Sequence, residues 1–158
     1  MDRIDTSLIA LRRILRATEL FGRELARSVG LSAAQFRVLQ IVAESGQCTA
    51  TQIARQMRIT QATVTSLVDK LVRQGMVVRE RSQTDRRQTN ILATEAGKQA
   101  IEDAPDPLQQ RFVRKFKALE DWEQASLIAA LERVAAMLDA EDIDAAPVLD
   151  TGEIREPS

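Results

Sequence analysis

The chain has 158 residues, 44% of them apolar, with a formal net charge of −1, enough for one domain or one small domain with an attached helical module. It has no histidine and a single cysteine, Cys48, which removes the commonest zinc ligand, the usual general base, every Ser-His-Asp or Cys-His arrangement and an intrachain disulfide. No apolar run approaches the length of a membrane span, and Arg12, Arg13 and Arg16 interrupt the N-terminal stretch, which is not a secretory signal; the reading is a cytoplasmic protein with a reduced thiol, no catalytic residues, no metal and no cofactor.

In chain order, Ile4, Leu8, Leu11 and Leu15 open a helical pattern that runs to about Val29, and Gly30 is its left-handed stop. Ser32 with Gln35 forms a capping box for a second helix through Phe36, Leu39 and Val42 to Gly46. Thr49 with Gln52 repeats the device for a short third helix whose inward residues are Ala50, Ile53, Ala54 and Met57. Thr60 caps a fourth, in which Val64, Leu67, Val68 and Leu71 fall at i, i+3, i+4 and i+7, and Gly75 ends it. Met76 to Arg81 reads as a half-buried strand, SQTDRR as a turn and QTNILAT as the return strand. A fifth helix from Glu95 reaches about Ala104, Pro105 and Pro107 interrupt, and Leu108, Phe112, Phe116 and Leu119 resume the helical period. Asp121 with Gln124 is expected to cap the last helix, with Leu127, Ile128, Leu131, Val134 and Leu138 on one face. Residues 140–158 are acidic and aperiodic, which predicts a flexible tail.

Positive charge is concentrated in the middle of this order. Residues 47–94 carry a net +5, residues 1–46 carry +2 and residues 95–158 carry −8, an electrostatic footprint confined to one region. Two short helices followed by a strand–turn–strand with a basic tip form the layout of a winged helix-turn-helix. With Val64, Leu67, Val68 and Leu71 turned inward, the opposite face of the fourth helix holds Ala62, Thr65, Ser66, Asp69 and Arg73, with Lys70 beside it. Small and hydroxyl residues let a helix approach base edges closely, and the Ala62 methyl suits a thymine methyl. Gln61, Thr63 and the N-terminal amides suit a phosphate at the positive end of the helix dipole, whereas Lys70 and Arg73 lie where phosphates would pass. In the turn, Asp85 is expected to pair with Arg86 or Arg87 and project the remaining guanidinium toward the narrow minor groove. Cys48 reads as a small semi-buried residue rather than a redox switch, and Trp122 and the phenylalanines as core.

The stretch TATQIARQMRITQATVTSLVDKLVRQGMVVRE, followed by TDRRQTNILATEAGK, resembles the MarR family of transcriptional regulators. The likeness covers Ile4 to Asp139 in layout and is most specific from Thr49 to Lys98. It implies a homodimer joined through the N-terminal and last two helices, double-stranded DNA as partner and a wing arginine in the minor groove. It also implies an aromatic-acid pocket between the dimer helices and the winged region, and hence a small-molecule effector. Carried over by position, the DNA-contacting residues are Gln61, Ala62, Thr63, Thr65, Ser66 and Lys70 of the recognition helix and Asp85, Arg86 and Arg87 of the wing. Two departures stand out: Ser82 and Thr84 occupy positions where many members have charged residues, and DAPDP interrupts the penultimate helix.

The resulting expectation is a mainly α protein: a winged helix-turn-helix with a two-stranded wing over residues 31–94, and a helical dimerisation region from residues 1–30 and 95–139. The function expected is sequence-specific repression at a pseudo-palindromic operator. The alternative is a winged-helix dimerisation or protein-interaction module that does not touch DNA; the +5 segment and the hydroxyls on the groove face weigh against it.

Overall fold

The computed structural model describes residues 1–143, so most of the expected acidic tail lies outside the described residues. The elements are α1 (Arg3–Val29), α2 (Ala33–Ser45), α3 (Ala50–Met57), α4 (Gln61–Arg73), β1 (Val77–Arg81), β2 (Thr89–Ala93), α5 (Glu95–Asp103), α6 (Leu108–Lys117) and α7 (Asp121–Met137). One compact unit spans Met1–Pro105 and a second begins at Asp106. The winged region therefore shares its unit with α1 and α5, whereas only α6 and α7 of the expected dimerisation region stand in the other.

Local chemistry starts and stops most of these helices where the chain predicts. The Ser32–Gln35 and Thr49–Gln52 capping boxes are both closed in both directions. Thr60 accepts from the Thr63 amide at 3.1 Å and Thr94 from the Gly97 amide at 3.1 Å. Gly30 ends α1 with φ 71°. The turn between α3 and α4 instead places a non-glycine residue, Arg58, in the left-handed region at φ 55°, a backbone position that costs an L-residue energy.

Leu25, Leu31, Val38, Leu39, Val42, Ile53, Val64, Val68 and Leu71 build the core of the first unit, each 1% exposed or less. The β1–β2 hairpin pairs Val77 with Ala93 through Arg81 with Thr89. Cys48 adds a one-residue bridge on the other side of β2: its N–H donates to the Ile91 carbonyl (3.2 Å), and its carbonyl accepts from the Ile91 N–H (2.8 Å). The turn before α3 is thereby stitched to the wing, and Cys48 is buried, at 4% exposed, rather than semi-buried.

Three sequence expectations are corrected. Strand β1 begins at Val77 and does not alternate: Val77 is buried, but Val78 is 42% exposed and the remaining residues face solvent, because a two-stranded wing has only its base against the core. The cap of α7 is Glu120, boxed with Glu123, not Asp121; Gln124 instead donates to the carbonyls of Phe116 and Leu119, bracing the turn from α6. Trp122 is 72% exposed and Phe112 is 54% exposed, so neither is core within one chain; only Phe21 and Phe36 of the aromatics are buried.

In the second unit, α6 and α7 expose their apolar stripes. Phe112 and Phe116 stack at 5.5 Å between ring centroids, and Leu127, Ile128 and Leu131 remain 41–50% exposed. Asp106, ahead of α6, accepts from the Arg114 guanidinium at 2.6 Å, which holds its carboxyl below the ordinary carboxylate range. In the first unit, Ile4, Leu8, Ile14, Leu15 and Leu20 of α1 are similarly uncovered, and only its C-terminal part packs down through Phe21, Gly22 and Leu25.

The junction of wing and α5 depends on Gly97. The Thr94 hydroxyl reaches the Gly75 and Met76 carbonyls at 2.6 and 3.1 Å, and its amide donates to Met76 at 3.0 Å. A Cβ on Gly97 would collide with the Met76 carbonyl oxygen and touch Leu39 Cδ1 at 3.0 Å. Gly97→Ala is expected to cost about 2 kcal/mol of stability, as overpacking against backbone does; a lowered midpoint in thermal unfolding followed by circular dichroism checks it.

Candidate nucleic-acid interface

The orientation of α4 is set by what it buries. Val64, Val68 and Leu71 are inaccessible and Leu67 is 7% exposed, packed against α2 and α3. Gln61, Ala62, Thr65, Ser66, Asp69, Lys70 and Arg73 are thereby turned to solvent. The first amides of a helix have no intrahelical acceptor; Thr60 satisfies that of Thr63, so the capped tip still presents donors beside Gln61 and Ala62. The Thr63 hydroxyl lies 2.8 Å from that of Thr60, which sets Thr63 half-buried in the cap rather than beside Gln61 on the outer face. The Thr65 hydroxyl donates to the Gln61 carbonyl at 3.0 Å, leaving its oxygen to accept from outside.

The wing tip is organised by hydrogen bonds rather than by charge pairs. Ser82 is 9% exposed; its hydroxyl accepts from the Thr84 and Asp85 amides, both at 3.3 Å, and contacts the Thr84 hydroxyl at 3.1 Å. The Ser82 amide donates to the Gln88 carbonyl at 2.9 Å, and the Gln88 amide to the Asp85 carbonyl at 3.0 Å. Asp85 Oδ1 accepts from the backbone amide of Arg87 at 3.0 Å, not from a guanidinium as the sequence suggests. A side chain accepting from the amide two residues on is the turn chemistry aspartate favours. Neither Arg86 nor Arg87 has an ion-pair partner among the described residues, so the turn is fixed while both cations stay available. Ser82 and Thr84 therefore shape the tip rather than charge it.

A feature missed in the sequence joins the two halves of the surface. Arg79 Nη2 on β1 lies 2.6 Å from Asp69 Oδ1 on α4, over a shallow groove also lined by Thr65, Val68, Thr89 and Ile91. Among the described residues this is the one ion pair within 47–94. Helix spacing puts Asp69 on the outer face, but no local period announces a partner on a strand ten residues later.

Taken together, a capped helix with a polar outer face and a basic hairpin beside it can enter a major groove and reach the backbone or minor groove at its edge. Comparison with known proteins gives the family of this segment. The MarR family model matches residues 29–88, which take in α2, α3, α4 and the wing tip. An HTH-type transcriptional regulator of Bacillus subtilis, YcgE, is 26% identical over 136 residues, 86% of this chain and 88% of the relative. The chain is a MarR-family winged-helix transcriptional regulator.

Other members agree in sequence and fold. The HTH-type transcriptional repressor IacR of Pseudomonas putida is 30% identical over 110 residues, 70% of this chain and 66% of the relative. The crystal structure of a MepR-like protein complexed with pseudoligands superposes with TM-score 0.61 at 27% identity, covering 87% of this chain and 97% of that one. The regulator BldR of Sulfolobus solfataricus gives TM-score 0.56 at 25% identity, with 87% and 99% covered. A MarR-family regulator works by binding DNA and not by catalysis. No described helix is long and apolar enough to cross a membrane.

Burial raises the Cys48 thiol above its ordinary value of 9.0, so proximity to the α3 N-terminus does not yield a thiolate. A raised acid pKa stabilises the fold below the unfolded value and withdraws that contribution as pH rises past it, here above about pH 9. At pH 8 the native thiol is expected to alkylate far more slowly than in urea, by mass spectrometry of iodoacetamide adducts; equal rates would put the thiol at the surface.

Proposed function

We propose that this MarR-family chain is a homodimeric repressor that reads a pseudo-palindromic duplex operator through α4 and grips it with the wing. The observation that carries the reading is the exposed, largely uncharged N-terminal face of α4 beside a fixed hairpin whose tip carries two arginines, Arg86 and Arg87, with no ion-pair partner among the described residues. Ala62, Thr65 and Ser66 face the base edges. Thr65, its hydrogen committed to Gln61, acts as an acceptor and favours an exocyclic amino group of adenine or cytosine. Gln61 and the helix tip hold a phosphate, with Thr63 shaping the cap behind them. Lys70 and Arg73 follow the backbone, and Arg86 and Arg87 reach the backbone or minor groove, positioned by Asp85.

Dimerisation is supported by the uncovered apolar residues of α1, α6 and α7, more than a soluble monomer leaves exposed without use. Repression is supported by relatives such as IacR and YetL of Bacillus subtilis, both named as repressors. Release by a small effector fits the pseudoligands in the MepR-like structure, and a cytoplasmic location fits the operator as target.

Random-site selection on duplex DNA with purified protein tests the whole reading: an enriched palindrome with half-sites about one helical turn apart is expected, and no enrichment overturns it. Arg87→Ala should weaken binding across all sequences and flatten the dependence of affinity on salt by about one counterion. Thr65→Ala or Ser66→Ala should instead relax preference at one base pair, by roughly 1–3 kcal/mol, measured on a panel of single-base operator variants.

A further inference from the structure

We propose that Asp69 is a specificity-determining residue because it neutralises Arg79, keeping a wing-strand cation from adding non-specific grip on phosphate. The inference rests on the DNA-binding reading above. Arg79 and Asp69 meet at 2.6 Å with side chains 35% and 49% exposed, so the pair sits at the surface rather than in the core, on the side of α4 that the proposed reading turns to the duplex. Asp69 lies one turn beyond Thr65 and Ser66 on the outer face of α4, where a lone carboxylate would repel the backbone. Arg79 would otherwise be a free cation between the recognition helix and the wing.

Each neutralised phosphate contributes affinity that is independent of sequence. A cation at the centre of the interface thus raises binding to every duplex, operator or not, and lowers the ratio between them. Pairing it with a carboxylate from the helix that reads the bases removes that term. The pair also ties β1 to α4, fixing the distance between groove helix and wing. An exposed ion pair is weak in free protein, but docking on DNA expels water and lowers the local dielectric, which strengthens the attraction within the pair. The remaining cations at the edges, Lys70, Arg73, Arg86 and Arg87, have no such partner among the described residues and supply the grip.

The test measures affinity of wild type, Asp69→Asn, and the double variant Asp69→Asn with Arg79→Gln, on the selected operator and on a scrambled duplex between 50 and 200 mM salt. Freed of its partner, Arg79 in the single variant should add about one counterion to the salt slope, an extra loss of about threefold over that range. The single variant should bind scrambled DNA several-fold more tightly at the low-salt end and discriminate less well. The double variant replaces a neutral pair by a neutral pair and should return to the wild-type slope. Two results overturn the proposal: an unchanged slope for Asp69→Asn, or a double variant that loses one counterion relative to wild type, which would place Arg79 on a phosphate already. Should Asp69→Asn unfold, seen as a lost thermal transition, the double variant alone decides by the same slope. Failure of the wild type to bind any duplex would instead sink the DNA-binding reading itself.

Discussion

The burial of Val64, Leu67, Val68 and Leu71 against α2 and α3 is the constraint on which the proposed DNA-facing surface depends. Each such side chain contributes roughly 1.5–3 kcal/mol when removed from water, whereas an exposed ion pair contributes about 0–1 kcal/mol. The rotation of α4 about its axis is therefore decided by its apolar stripe, not by the Asp69–Arg79 link across to the wing. Once that stripe is inward, the polar positions between its members are outward by helical geometry alone. The capping threonine at the start and the glycine at the end limit how far the helix can slide along its length.

The wing follows a different principle. Only the base of the hairpin reaches the core, through Val77 and Ile91, and the Cys48 rung ties it to the turn before α3. Beyond that base the tip is held by backbone amides converging on the Ser82 hydroxyl and the Asp85 carboxylate. Hydrogen bonds of this kind fix shape without consuming cations. The tip can thus be both ordered and positively charged, with Ser82 and Thr84 giving it local definition and Arg86 and Arg87 its charge.

The helices outside the winged region tell of an incomplete structure. Among the described residues, and each taken within its own unit, the first two-thirds of α1 and the apolar faces of α6 and α7 stay largely exposed, as does Trp122, a large amphipathic residue. Such faces are what separate chains bury against each other when a single domain is too small to enclose them. The proposed symmetric repressor gives them that role, and gives the two recognition helices a matched spacing.

Much of this architecture was legible in the amino-acid order because its signals are local. Capping boxes, the glycine stops, the i, i+3, i+4, i+7 stripe of α4 and the charge concentrated between residues 47 and 94 each depend on neighbours within one or two turns. The same locality explains the errors. The apparent alternation of β1 says nothing about a hairpin that has core on one end only, and periodicity cannot tell an apolar face buried within a chain from one left for a partner, so Trp122 and Phe112 read as core. The adjacent charges of Asp85, Arg86 and Arg87 suggested a pair, but the tight turn brings a backbone amide nearer than either guanidinium. By itself, then, the sequence determined the elements, their order, their family and the face that α4 turns outward. Only the tertiary structure decided that Asp69 meets Arg79, that Cys48 joins the wing and that Ser82 shapes its tip, because those contacts depend on how separate elements and a folded-back turn pack in space, which no local period encodes.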